Sequence, residues 1–296
     1  MIIAVASGKG GTGKTTIAVS LALTASQLPG AAGCNQAGVL YLDCDVEAPN
    51  AHLFLNPTFQ QTREVGIFIP EIDATRCTYC GRCAEVCQYH AIAVLGKKTL
   101  VFPQLCHGCG SCTRACPEGA IREIPDRIGV LERGPTPLGI DFGRGMLDIG
   151  EPMAVPIIRQ LKAWAKPTPD QLVIRDAPPG TSCPVVETAR GADYLLLVTE
   201  PTPFGLHDLK LAVGVARELG VPMGVVINRA GLGDQRVEEY CAQEELPILL
   251  RIPFERKIAE AIARGSVLVR ALPEYQPGFT QLLHSVLASV AKEAYP

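Results

Sequence analysis

No stretch of this sequence approaches the roughly 18 to 20 consecutive apolar residues that a membrane-spanning helix requires. Charge of neither sign prevails: the formal net charge is −3, which gives no general pull toward nucleic acid or anionic lipid. The opening MIIAVA is apolar, yet no basic residue precedes it and its run stops at a glycine-rich stretch. A strand is therefore expected there rather than a secretion signal, and the chain is expected in the cytoplasm. No pattern marks a nucleophile triad. What remains is an ordinary soluble composition, 47% apolar and 19% charged over 296 residues. That length accommodates one large α/β domain with a small appendage.

Cysteine, by contrast, is plentiful. Twelve cysteines in a chain without a secretion signal argue against a disulfide framework and for metal ligation or redox chemistry. Eight lie between Cys77 and Cys116, while Cys34, Cys44, Cys183 and Cys241 are scattered.

Elsewhere, β-type apolar runs alternate with helical patterns. IIAVA, VLYLD, LVIRD, YLLLVTE and MGVVIN are short and nearly all apolar, as strands buried on both faces of a parallel sheet should be. Helices are expected over 14–28, 152–165, 204–219, 234–245 and 277–294. This alternation predicts a doubly wound, mostly parallel α/β sheet with its ligand site at the C-terminal ends of the strands. One segment departs from it. CTYCGRCAEVCQYHAIAV at 77 recurs as CHGCGSCTRACPEGAIRE at 106, an internal repeat. Residues 66–126 are therefore expected to form a small α+β domain inserted into a discontinuous domain of 1–65 and 127–296.

Residues 7–16 read SGKGGTGKTT. Gly8-x4-Gly13-Lys14-Thr15 follows an expected strand and opens an expected helix, the context of a phosphate-binding loop. Gly10, Gly11 and Gly13 let backbone N–H groups, those of Thr12, Thr15 and Thr16 among them, wrap phosphates at a helix N-terminus. Lys14 is placed to reach the β- and γ-phosphates, and the Thr15 hydroxyl to bind Mg²⁺. Lys9 is one lysine more than such a loop requires; spacing alone also allows a solvated side chain.

The pattern K-G-G-x-G-K-T resembles the deviant phosphate loop of the MinD/ParA/Mrp family, which includes the nitrogenase iron protein and the arsenite and tail-anchored-protein ATPases. The resemblance covers about 1–65 and 126–296. It implies an ATPase that dimerises with ATP, with itself or with a homologous ATPase, and in which Lys9 reaches the nucleotide of the other subunit. LDCDVEAPN resembles the family's first switch: Asp45 would orient the attacking water, with Asp43 near Mg²⁺. RDAPPGTSC resembles the second switch: Asp176 would hold Mg²⁺ through water, and Gly180 would sense the γ-phosphate. Asn228 matches the adenine-contacting Asn, with Pro253 and Phe254 flanking the base. Lys9, Lys14 and Asp45 are the expected catalytic residues.

Cys77-x2-Cys80-x2-Cys83-x3-Cys87 and Cys106-x2-Cys109-x2-Cys112-x3-Cys116-Pro117 match the run of bacterial two-cluster ferredoxins. There the fourth cysteine of each run ligates the other cluster. The resemblance thus implies two [4Fe–4S] clusters, one on Cys77, Cys80, Cys83 and Cys116, the other on Cys87, Cys106, Cys109 and Cys112. Zinc is the alternative, although its sites pair CxxC units across longer gaps. Cys87 departs from the pattern, being followed by Gln88 instead of proline. The insert has six basic and six acidic residues between Gly66 and Asp126, so it is no nucleic-acid patch. It follows the first switch directly, which suggests that nucleotide state and cluster position are coupled.

Cys183 lies in the second-switch loop, seven residues after Asp176, where the nitrogenase iron protein carries a cluster-ligating cysteine; an interface thiol and a buried small hydrophobe are both open. The second family ligand should fall near GRGMLDIGEPM, which has no cysteine. Cys34, Cys44 and Cys241 read as structural, and His52, His90 and His107 as lone histidines near sites.

Three functions compete. One is a dimeric ATPase coupled to electron transfer or metal-cluster handling for a client protein. Another is a positioning ATPase on membrane or DNA, disfavoured because the tail PGFTQLLHSVLASVAKEAYP has no basic face. The third is a ferredoxin module with a structural nucleotide site, against which Asp45 and Asp176 argue.

Overall fold

Short, nearly all-apolar β-branched runs suit burial on both faces of a parallel sheet, and that is where they lie. The computed structural model describes residues 1–28 and 38–294; Cys34 lies outside the described residues. In chain order the strands are β1 (Ile2–Ala6), β2 (Val39–Asp43), β3 (Gln61–Ile72), β4 (Ile92–Leu95), β5 (Lys98–Val101), β6 (Ile121–Pro135), β7 (Ile140–Leu147), β8 (Leu172–Asp176), β9 (Tyr194–Thr199), β10 (Met223–Ala230) and β11 (Ile248–Pro253). Nine form one sheet in the order β11-β10-β9-β1-β8-β2-β7-β6-β3, and β4 and β5 form a separate hairpin. Neighbours from β11 to β7 are parallel, while β6 and β3 extend that edge in antiparallel fashion.

The helices are α1 (Lys14–Gln27), α2 (His52–Leu55), α3 (Arg82–Glu85), α4 (Ser111–Ala115), α5 (Ala154–Ala165), α6 (Cys183–Ala189), α7 (Pro203–Leu219), α8 (Arg236–Gln243), α9 (Arg256–Ala263), α10 (Leu268–Ala271) and α11 (Gln276–Ala294). Successive strand residues point to opposite faces, and β1 shows the result. Ile3 and Val5 join a core with Ile17, Leu21 and Phe279, from α1 and α11. Ala4 and Ala6 join another with Val185, Leu209 and Val237, from α6, α7 and α8. Both faces are covered, as in a doubly wound sheet. Among the described residues no helix is long and apolar enough to cross a membrane.

Strands β7 and β11 were not among the runs expected. In β7 the sequence IDFGRGML carries two glycines, which disguise it. A Cβ on Gly145 would lie 2.8 Å from Val46 Cγ1, so β7 backbone runs against a side chain that leaves no room. In β11 the run ILLRIP is interrupted by Arg251 and closed by Pro253, and both are ordinary features of an edge strand.

Strands β3 and β6 pair from Gln61↔Arg133 to Ile72↔Ile121, passing through residues 66 and 126 with one register shift between Val65 and Gly66. Strand β7 stops at Leu147, opposite Gly129, so the hairpin beyond that row stands clear of the sheet. Its seven β3 residues, 66–72, reach about 20 Å past the C-terminal edge. Residues 73–120 sit at its tip.

The repeat is visible in backbone angles. Gly81 and Gly110 precede α3 and α4 with φ of 82° and 70°; Tyr79 and Gly108 have 58° and 63°; His90 and Gly119 have 52° and 53°. The first half thus places Tyr79 and His90 in the left-handed region where the second half uses glycine.

Candidate functional site

The loop between β1 and α1 is shaped by glycines. Gly11 and Gly13 have φ of 80° and 85°, which side-chain-bearing residues resist. A Cβ on Gly8 would lie 2.5 Å from Asp208, and one on Gly13 would run into Asn228 Nδ2. Asn228 in turn donates from Nδ2 to the Thr12 carbonyl at 2.8 Å. The hydroxyl of Thr12 is buried without a hydrogen-bond partner, as a group awaiting a ligand would be.

Behind the loop, Lys14 Nζ lies 2.5 Å from Asp176 Oδ1, and the other Asp176 oxygen accepts from the Tyr41 hydroxyl at 3.0 Å. Burial pulls the Lys14 ammonium down, but the Asp176 carboxylate outweighs it and holds the pKa above its usual value. Asp43 and Asp176 end adjacent strands in the same register, and both are fully buried. Asp43 accepts from the backbone N–H groups of Asp45, Asn50 and Ala51 at 3.0–3.2 Å. Burial, then the neighbouring Asp176 carboxylate, pushes its pKa from 3.8 up to about 7. Burial also raises Asp45, against the pull of Lys14. Two buried carboxylates facing one lysine form a donor set deficient in positive charge, which fits Mg²⁺.

A cleft opens over the loop. Residues 9–16, Asp45, Asn228, Pro253 and Phe254 line it. Four expected residues do not. Gly8 packs on Asp208; Asp43 and Asp176 are fully buried; and the Gly180 N–H donates to the Ser7 carbonyl at 2.9 Å. Phe54, Ile258 and Ile262 supply an apolar wall that the motifs did not reveal. The i, i+4 spacing of the two isoleucines on α9 was the available signal.

Lys9 does not project freely. Its Nζ lies 3.1 Å from Glu200 Oε2, and the same buried carboxylate pairs with Arg229 at 2.6 Å. Arg229 also donates to the Gly11 carbonyl at 3.2 Å. Glu200 and Arg229 were missed because neither belongs to a recognised motif: Glu200 closes the run YLLLVTE, and Arg229 follows Asn228 within β10.

The eight clustered cysteines surround two cavities. Cys87, Cys106, Cys109 and Cys112 line one; Cys77, Cys80, Cys83 and Cys116 line the other. All eight are free thiols. The fourth cysteines behave alike: the N–H groups of Ala91 and Ala120 donate to Cys87 Sγ and Cys116 Sγ, each at 3.3 Å. Among the described residues no three His, Cys, Asp or Glu side chains converge on a point where one ion would sit. The thiols instead surround a space. As a donor set, four soft thiolates suit an iron–sulfur cluster and a tetrahedral zinc ion alike. His107 stacks on Tyr89 beside the first cavity, with ring centroids 3.6 Å apart.

The remaining candidates separate by burial. Cys44 and Cys241 are buried, and burial pushes their thiols up to about 12 and about 11. Cys183, at the start of α6, is exposed and so is not a buried hydrophobe. His52 opens α2, where burial lowers its pKa, and His90 is exposed.

Residues 3–269 match the family model described as the CobQ/CobB/MinD/ParA nucleotide binding domain. An uncharacterised protein of Methanocaldococcus jannaschii is 31% identical over 91% of this chain and 92% of its own length. The iron–sulfur cluster carrier protein of Aquifex aeolicus is 26% identical over 92% of this chain and 63% of its own. Among solved structures, the septum site-determining protein MinD of Pyrococcus horikoshii, complexed with Mg-ADP, superposes with a TM-score of 0.56. That match covers 99% of this chain and 97% of that one at 19% identity, a likeness of fold.

Proposed function

The chain belongs to the CobQ/CobB/MinD/ParA nucleotide-binding family, and from that premise we propose a dimeric ATPase switch coupled to an iron–sulfur module. Residues 66–126 are the module, set within an ATPase domain of 1–65 and 127–296. The observation that carries the reading is the pair of cavities, each walled by four thiols, on a hairpin rising from the same sheet edge as the phosphate loop.

In this reading residues 10–16 hold the phosphates through backbone N–H groups, and Lys14 exchanges Asp176 for phosphate oxygens. Thr15, Asp43 and Asp176 hold Mg²⁺, which neutralises phosphate charge when bound. Asp45 faces the cleft and orients the attacking water, while Gly180 senses the γ-phosphate. Asn228, Pro253 and Phe254 hold the base. Lys9 leaves Glu200 and supplies its charge to the partner subunit's nucleotide.

Cys77, Cys80, Cys83 and Cys116 hold one [4Fe–4S] cluster, and Cys87, Cys106, Cys109 and Cys112 the other. When bound, such clusters supply one-electron chemistry or are themselves cargo. The carrier description of the Aquifex aeolicus relative supports cluster handling. Protein isolated without oxygen should contain about eight irons and eight sulfides per chain, with a broad band near ~400 nm that dithionite bleaches. Stoichiometric zinc with no acid-labile sulfide would overturn the iron–sulfur reading.

A further inference from the structure

The cysteine hairpin follows the first switch closely in sequence, and one pair of consecutive residues from β7 also joins the two in space. Leu147 ends β7, and its N–H donates to the carbonyl of Val46, in the loop that shapes itself around Asp43 and carries Asp45, at 2.8 Å. The next residue, Asp148, donates its N–H to the carbonyl of Ile128 on β6 at 2.9 Å. Two adjacent peptide units thus hold the nucleotide-side loop on one side and the root of the hairpin on the other.

Ile128 occupies a special place in that root. The β3–β6 ladder steps from Val65↔Gly129 directly to Gly66↔Arg127, which leaves Ile128 as an extra residue without an opposite number. Such a bulge bends and twists its strand locally and ends regular pairing. Its carbonyl, freed from the ladder, is the one that Asp148 takes. Its side chain is fully buried in the same apolar cluster as Val46, Leu131 and Cys44.

Backbone packing around the bulge is tight. A Cβ on Gly66 would strike the Asp126 carbonyl, and one on Gly129 the Met146 carbonyl. On the other side of β7, Gly145 lies against Val46. Arg127 completes the joint: it pairs with Glu64 on β3 and with Asp148, each at 3.1 Å. The Gly66 carbonyl is pinned separately by Gln160 Nε2 of α5 at 3.0 Å.

We propose that the Ile128 bulge, tied by Leu147, Asp148 and Arg127, is the joint through which nucleotide binding at the first switch repositions the cysteine hairpin. This rests on the nucleotide reading of the cleft, and it needs no cluster to operate. A shift of Val46 pulls on the Leu147 N–H and presses on Gly145. Packed backbone without side-chain slack passes that shift to β7 and, through Asp148, to Ile128. The bulge lets the hairpin tilt without breaking the ladder above it, and seven further rows turn a small rotation into a larger displacement at the tip. Arg127 is a positioning residue that makes Asp148 and both hairpin strands move together.

Amide hydrogen exchange on the full chain, with and without Mg²⁺ and a non-hydrolysable ATP analogue, tests this. The analogue should change exchange at Leu147, Asp148 and residues 121–128 as well as at 9–16 and 44–51. In Arg127→Ala and in Asp148→Ala, the response at 9–16 and 44–51 should persist while that at 121–128 falls by about twofold or more, the scale of a surface ion pair. A response confined to 9–16 and 44–51 in the wild type would overturn the joint. So would an undiminished hairpin response in both variants. Silence at 9–16 would instead overturn the nucleotide reading, and an iron-free protein would leave this experiment unaffected.

Discussion

Asp43 concentrates the chemistry of the site in one carboxyl group. Its pKa in the folded chain is raised from 3.8 to about 7 by burial and by Asp176. Between those two values the folded state binds a proton that the unfolded chain has released. The ligand-free protein therefore loses stability from this group as pH rises from about 4 toward 7. Urea midpoints of the ligand-free chain should fall from pH 5 to pH 7.5, and Asp43→Asn should flatten that slope. A slope that the variant leaves unchanged would assign it to another group. Mg²⁺ should restore stability most at the upper end of the window, where both carboxylates are ionised. The aspartates were legible in the sequence because each ends an apolar run. Their shared register was not, since it depends on the order β8-β2 in the sheet.

Among the elements, the two halves of the cysteine repeat share a backbone and differ in what it costs. His90 and Gly119 occupy equivalent turns with φ of 52° and 53°. A left-handed residue with a side chain is strained by about 1 kcal/mol. His90→Gly should therefore stabilise the cluster-loaded protein by up to about 1 kcal/mol, and Gly119→Ala should destabilise it by a similar amount. Anaerobic denaturant titration of both variants reads the signs; equal signs would show that the turns are not equivalent. The grouping of the cysteines and the course of the phosphate loop were readable because both are set by spacing within a few residues. Strand β7 was not, because Gly143 and Gly145 are dictated by Leu42, Val46 and Ile157, neighbours remote in sequence. The same non-locality hid Glu200 and the Ile128 bulge.

For the whole molecule, the question is whether one chain's Lys9 serves another, as the proposed dimer requires. In a single chain its ammonium is held by Glu200, which also holds Arg229. Action across a dimer requires that contact to open. Lys9→Ala and Asp45→Ala should each lower ATP hydrolysis by about 100-fold, the scale of losing one charge-stabilising or positioning group. Mixed together, they should regain activity: the Asp45→Ala chain lends its Lys9 to a partner whose Asp45 is intact. Absence of rescue, with subunit mixing demonstrated, would mean that Lys9 acts within its own chain.

The hairpin of β3 and β6 also bears on how such a chain comes to exist. Ile72 and Ile121 are directly paired, so the polypeptide departs from and returns to its host through a single doorway. Whatever is threaded through that doorway makes little demand on the host's closure entropy, which grows only slowly with loop length. The ladder below it holds both ends of the guest side by side. A sheet built this way is a socket: it accepts a duplicated cysteine unit, or none, without renegotiating its own strand order.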